Sequence, residues 1–239
     1  MPRAPRNIQG WTLSKVLGEG TDGMVALYTK GNQKIVFKFP TKHGLEYVRQ
    51  EELVLKRVAK KRHRNLVAAY VGLKPGKFLA QQYVEGVTLA SYVERNRITP
   101  ALARQIVAQI TAGVQALHAI GFAHNDLHLA NIMINPTSQE VFLIDYGRAT
   151  SANVLLRNYD ELHWKYTVDP ESTARVTIRD YAFIAGANAW LQLHAAAKGP
   201  ITKTENRAAD QAHQAAIYQV LKSVSLQRPQ RTKHVRHYN

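Results

Sequence analysis

The chain has no cysteine among its 239 residues. A disulfide framework, a thiolate zinc site and a cysteine nucleophile are therefore excluded, and a reducing intracellular setting is the simplest expectation. Nor does any stretch approach the roughly 20 consecutive apolar residues of a membrane-spanning helix. The opening MPRAPRNIQG is basic but leads into no apolar segment of the kind a secretory signal needs. The expectation is a soluble protein with no membrane partner. Acidic side chains are scarce as well, 17 against 32 Lys and Arg, which leaves a formal net charge of +15 at pH 7. Such a field favours anionic partners, acidic proteins and nucleic acid alike, without choosing between them. Apolar residues are present in ordinary amount, and 45% hydrophobic with 21% charged excludes whole-chain disorder. The length suits one large domain or two small lobes.

Residues 1–10 carry Pro2, Arg3, Pro5 and Arg6 with little to bury, which predicts a flexible basic arm. From Trp11, the segments WTLSKVLGEG, MVALYTKG and KIVFKFP read as antiparallel strands joined by glycine-containing turns. HGLEYVRQEELVLKRVAK then sets Leu45, Val48, Leu55 and Val58 at helical spacing. LVAAYVGL and KFLAQQYV, on either side of Lys74-Pro75-Gly76, supply two more strands. Residues 11–84 thus form a small lobe of five strands and one helix. After Glu85-Gly86 the character changes, because TPALARQIVAQITAGVQALHAIG has proline at a helix start and glycine at its end. IMIN and VFLID make a hairpin across Pro136-Thr137-Ser138, and residues 178–197 and 205–224 are helices, the first apolar enough to be buried. The expected fold is α+β and bilobal, with a shortened, mostly helical second lobe over 85–229 and a basic tail over 230–239. No internal repeat is present.

Three groups of residues carry chemistry. Gly18-Glu19-Gly20-Thr21-Asp22-Gly23-Met24-Val25 is a G-x-G-x-x-G-x-V run, whose glycines let backbone N–H groups approach a polyphosphate. A plain glycine-rich turn has the same composition, but a dinucleotide fingerprint would lead into a helix, and here a strand follows. Lys38 lies on the third strand among apolar residues that would hold its stem and leave the ammonium for phosphate oxygens. Read alone, it is equally a surface lysine. The third group is HNDLHLAN followed by VFLIDYG: Asp126 and Asn131 are five residues apart, and Asp145 lies fourteen beyond Asn131. A capping turn at His124, Asn125 and Asp126 is the structural alternative.

In that order on those elements, the motifs resemble those of the protein-kinase-like superfamily over about residues 11 to 229. The resemblance implies a compact, serine/threonine-type protein kinase using ATP and magnesium, or manganese. Asp126 would position the acceptor hydroxyl, while Asn131 and Asp145 would hold the metal through oxygen. Lys38 would meet the phosphates and Glu51 would orient it, preferred over Glu52 and Glu46 because it precedes the pair Val54 and Leu55 at the family's spacing. Gly18, Glu19, Gly20, Gly23 and Val25 would cover the phosphates. Gln82-Tyr83-Val84 would be the hinge, with backbone groups of Gln82 and Val84 binding adenine and Gln81 as gatekeeper. Asp180 would brace the catalytic loop. Pro170-Glu171 and Arg228-Pro229 are weaker matches to the activation segment's end and its arginine partner.

Departures from the pattern shape the alternatives. Asn125 replaces the arginine of H-R-D, His128 stands where serine/threonine kinases usually carry lysine, and Tyr146 replaces the phenylalanine of D-F-G. His128 and the lost arginine resemble small-molecule kinases of aminoglycoside or sugar type. The cationic run Lys56, Arg57, Lys60, Lys61, Arg62, His63 and Arg64 and the basic tail open a third reading, a kinase-shaped module docking on nucleic acid or a protein partner. Part of that run simply complements a helix C-terminus. The intact catalytic set favours a protein kinase, and the charge favours acidic protein substrates.

Overall fold

Apolar alternation along residues 33–40 sets the architecture of the first lobe. The computed structural model describes residues 3–70, 72–73, 77–153, 177–196 and 203–225. In strand β4 (Gln33–Pro40), the two-residue period sends Ile35, Phe37 and Phe39 to one face and Val36 and Lys38 to the other. The first set joins Ile8, Trp11, Met24, Ala26 and Tyr28 in an apolar cluster, in which Tyr28 meets Phe37 edge to face at 4.8 Å. The sheet is antiparallel in the order β1 (Asn7–Ile8), β2 (Trp11–Glu19), β3 (Gly23–Lys30), β4 and β5 (Leu79–Gln82).

Two expectations are corrected here. The described part of the N-terminal arm, residues 3–10, is docked, because Ile8 is apolar enough to join the cluster beside Trp11. Gln9 and Gly10, at φ +51° and +84°, reverse the chain so that Asn7 and Ile8 pair with Thr12 and Trp11. The Tyr28 hydroxyl then donates to the Pro5 carbonyl at 2.6 Å. Conversely, the strand expected within 66–73 reduces to isolated bridges, Leu66 with Leu143 and Ala69 with Gln81. Its backbone bonds are divided among three elements: Val67 N–H donates to Leu143, Ala69 N–H to Leu55 and Tyr70 N–H to Ala80. The five-stranded count therefore holds with β1 in the fifth place.

Helix α1 (Leu45–Lys61) buries Val48, Glu51, Val54, Leu55 and Val58 on one stripe. Its apolar members belong to a second, larger cluster that continues through the helical lobe. There α2 (Leu89–Arg95) and α3 (Pro100–Ala119) start at Thr88 and Thr99, whose side chains accept from the Ser91 and Leu102 N–H groups. Strands β6 (Val87–Thr88), β8 (Ile132–Ile134) and β9 (Val141–Leu143) form one small sheet, and β7 (Phe122–Ala123) pairs with β10 (Thr150–Ser151). Helix α4 (Thr177–Ala196) packs on α3 and on α5 (Lys203–Ser225). Gly186 permits the second contact, since a Cβ there would lie 2.9 Å from atoms of both His213 and Ile217. Among the described residues, no helix is long and apolar enough to cross a membrane.

Candidate active site

Lys38 meets α1 because alternation turns it away from the Ile35–Phe37–Phe39 face, and it stands opposite Val25 of β3. Its Nζ donates to Glu51 Oε2 at 2.8 Å and to Asp145 Oδ1 at 3.1 Å. Burial would lower the lysine pKa, but the two carboxylates outweigh it and hold the ammonium above its ordinary value. Glu51 is 1% exposed; burial pushes its carboxyl up while Lys38 pulls it back. For Asp145 the balance reverses: burial is outweighed by Lys38, and its pKa lies below the ordinary carboxylate value. Glu52 pairs instead with Lys56 on the exposed side of α1.

The glycine run folds as the β2–β3 hairpin. Gly20 and Gly23 exchange backbone hydrogen bonds, and Thr41 grips the tip through its hydroxyl on the Thr21 carbonyl and its N–H on Asp22. Gly23 is fixed by close approach, since a Cβ there would sit 2.3 Å from the Phe39 carbonyl oxygen. At Gly18 and Gly20 a Cβ would meet nothing within 4 Å, so packing in the described structure gives no reason for glycine there. Glu19 is exposed at the end of β2, and Val25 is half-buried.

The catalytic-loop motif is held from behind by α4. Asp180 Oδ1 accepts from Asn125 N–H at 2.9 Å, and Oδ2 accepts from His124 N–H at 2.8 Å and faces His118 Nε2 at 2.8 Å. Asn125 adopts φ +63° and Asp145 +61°, left-handed conformations that Asn and Asp tolerate better than most residues. Asn131 donates its amide to the Asp126 carbonyl at 2.9 Å, and to Asp126 Oδ2 at the 3.5 Å limit. The position of the absent H-R-D arginine is flanked by another: Arg179 of α4 donates to Asn125 Oδ1 at 2.6 Å. His128 is half-buried and precedes the short turn Leu129–Asn131, its carbonyl accepting from Asn131 N–H at 2.9 Å. Tyr146 is fully buried, and its hydroxyl donates to the Leu143 carbonyl at 2.8 Å and accepts from Val67 N–H at 3.1 Å. Burial drives that phenol far above its ordinary pKa.

At the expected hinge, Gln82 is exposed, Val84 is buried, and the buried Oε1 of Gln81 has no hydrogen-bond partner among the described residues. Three cations of the α1 run have intramolecular partners: Lys56 with Glu52, Arg57 with the Ile120 carbonyl and the Phe122 ring, and Arg64 with Glu140. Pro170-Glu171, Arg228-Pro229 and the tail lie outside the described residues. Sequence reasoning missed Gln50, whose amide donates to the Ala149 carbonyl at 2.8 Å, and Arg148, whose Nε is 3.7 Å from Asp126 Oδ2. It also missed His118 behind the loop. Their partners are remote in sequence, so no local pattern marks them.

Two lobes joined by α1, a lysine–glutamate–aspartate cluster and a loop joining Asp126 to Asn131 define the architecture of a phosphotransferase of kinase type. The protein kinase domain family matches residues 11–168, and the chain belongs to that family. Serine/threonine-protein kinase ppk25 of Schizosaccharomyces pombe is 29% identical over 165 residues, 64% of this chain and 38% of the yeast protein. Serine/threonine-protein kinase 1 of Heliothis zea nuclear polyhedrosis virus is 30% identical over 113 residues, 46% of this chain and 42% of the viral protein. The chain spans less than half the length of these curated relatives. Among solved structures, the Cydia pomonella granulovirus kinase PK-1 superposes with a TM-score of 0.64 at 15% identity, covering 92% of this chain and 94% of that one. That likeness is one of fold.

Proposed function

We propose that this chain is a protein kinase that binds ATP with magnesium or manganese and transfers the γ-phosphoryl group to serine or threonine hydroxyls of proteins. The observation that carries the reading is Lys38, held by Glu51 at 2.8 Å and Asp145 at 3.1 Å, with Ile144 beside Asp145 donating its N–H to the carbonyl of Asn131, whose amide bonds Asp126. A buried carboxylate is costly even when paired, so its presence beside Lys38 supports a role in orienting the lysine over one in stability alone. The glycines at 18 and 20, unexplained by packing, leave room for phosphate to approach the hairpin's backbone.

The metal's fit rests on two oxygens. Asn131 spends its amide nitrogen on Asp126, so Oδ1 is left for a cation, and Asp145 keeps Oδ2 clear of the bonds that engage Oδ1. Among the described residues no cluster of three or more His, Asp or Glu side chains could hold a metal. Magnesium suits such a sparse set, because it is commonly held by one or two protein oxygens together with substrate phosphates. When bound, the cation neutralises triphosphate charge. Asp126 orients the acceptor hydroxyl and takes its proton as the oxygen bonds to the γ-phosphorus, while the bond to the bridging oxygen breaks and ADP departs with that electron pair. Lys38 holds the phosphates in line, and Asp180 fixes the loop that carries Asp126. The formal charge of +15 favours acidic protein substrates, whose affinity then weakens as salt rises.

The test is transfer of labelled γ-phosphate from ATP with magnesium to itself and to acidic and basic proteins, comparing wild type with Asp145→Asn. Labelling by wild type alone supports the reading. Equal labelling by the variant, or none by either, refutes it.

A further inference from the structure

Arg148, immediately after Asp145-Tyr146-Gly147, is the one arginine within ion-pair distance of the proposed acceptor carboxylate among the described residues. Its backbone is pinned: Asn125 Nδ2 donates to the Arg148 carbonyl at 3.3 Å, and Gln50 holds the neighbouring Ala149 carbonyl at 2.8 Å. Its guanidinium lies over the Tyr47 ring of α1, 5.0 Å from the centroid, with Nε 3.7 Å from Asp126 Oδ2. A planar cation supported by an aromatic face is pre-oriented. The side chain is 43% exposed, and neither terminal nitrogen has a hydrogen-bond or ion-pair partner among the described residues. The contact to Asp126 is long and half-solvated, a type worth little to stability. The fork is thus steady and largely unspent, beside the position where the acceptor hydroxyl would lie.

We infer that Arg148 forms an anion-binding subsite of the acceptor cleft, selecting protein acceptors with a carboxylate or phosphate one or two residues from the hydroxyl to be phosphorylated; this rests on the kinase reading above. A guanidinium fork matches the paired oxygens of either anion. On an extended peptide, neighbouring residues advance by about 3.3 Å each, so a flanking anion spans the distance from Asp126 to Arg148 within one or two steps. The sequence supplies the charge without revealing the site, because the Tyr47 and Asp126 contacts arise only in the fold.

The test uses the full chain and peptides with one serine flanked at each near position by alanine, aspartate or phosphoserine. The readout is the ratio of kcat/KM for anionic over alanine peptides. Expected is a wild-type ratio of about tenfold or more at one register, the range of a charged hydrogen bond. Arg148→Gln should bring the ratio close to one, and Arg148→Lys, which keeps the charge and loses the fork, should fall between. A preference for phosphoserine assigns the site to phosphate; equal preference for aspartate assigns it to any flanking carboxylate or phosphate. Transfer with no anion preference in wild type, or a preference that survives Arg148→Gln, overturns the subsite while leaving the kinase reading intact. Absence of transfer to every peptide and protein overturns both. Should Arg148→Gln fail to fold, a wild-type ratio in Arg148→Lys overturns the subsite.

Discussion

Lys38 of β4 and Glu51 of α1 form an ion pair 2.8 Å long, with Glu51 1% exposed. The pair ties the sheet of the first lobe to its helix, and its two ends are unequal: Lys38 also has Asp145, whereas Glu51 has Lys38 as its one cation among the described residues and a backbone hydrogen bond from Tyr146 as its other support. Lys38→Met should therefore strand a buried carboxylate, at a cost of roughly 3–5 kcal/mol near neutral pH. The pKa of Glu51 is already raised by burial, and losing Lys38 raises it further. A raised folded-state value means stability present below the unfolded value and lost as pH rises through the folded one. The deficit of Lys38→Met should thus be small near pH 5 and grow towards pH 8 in thermal melts. A deficit independent of pH would contradict this, and Lys38→Met with Glu51→Leu should recover much of the loss.

Asp180 satisfies two backbone N–H groups and faces a histidine with its two oxygens. Asp180→Asn retains one oxygen, so at least one of the groups at His118, His124 and Asn125 loses its acceptor. The expected cost is about 1–3 kcal/mol in urea denaturation, with phosphate transfer reduced more than nucleotide binding. Equal loss of binding and transfer would show that the aspartate supports the whole lobe and not the catalytic loop.

Legibility in the sequence followed how local the cause was. The run from His124 to Asn131 is contiguous, and Lys38 stands on an alternating strand, so both are legible directly; the spacing to Val54 and Leu55 selects Glu51, and it is the glutamate bonded to Lys38. The docking of Ile8 depends on a cluster of side chains from three strands and looked like a free arm. The segment after α1 has strand composition, yet its hydrogen bonds scatter because Asn65 ties it to the second lobe. Asn65 Nδ2 donates to the Val141 carbonyl at 2.7 Å and to Gln109 Oε1 at 3.1 Å, partners no local pattern anticipates. The hydroxyl of Tyr146 looked like a minor change from phenylalanine, and its role appears only once Val67 and Leu143 are brought beside it.

Tyr146→Phe tests that role. It removes a buried hydroxyl with two partners, leaving Val67 N–H with only the 3.3 Å bond to the Leu143 carbonyl. Expected is a loss of about 1 kcal/mol in denaturant unfolding. No loss would mean that the remaining bond satisfies the group fully.

The α4–α5 contact should respond to pH through His213, whose pKa is lowered by burial. Below about pH 6.5 the unfolded chain takes up a proton more readily than the folded one. Stability should therefore fall from pH 7 to pH 5, and the fall should be shallower in His213→Gln. An unchanged slope would place the pH dependence elsewhere. Gly186→Ala, which drives a methyl group against His213 and Ile217, should lower the melting temperature at every pH.

The most direct measurement separates binding from chemistry at Asp126. Under single-turnover conditions with labelled ATP and magnesium, Asp126→Asn should bind nucleotide as wild type does and transfer the γ-phosphate at least about 100-fold more slowly. Transfer at the wild-type rate by Asp126→Asn would contradict the assignment of that carboxylate to the acceptor hydroxyl, and with it the proposed mechanism.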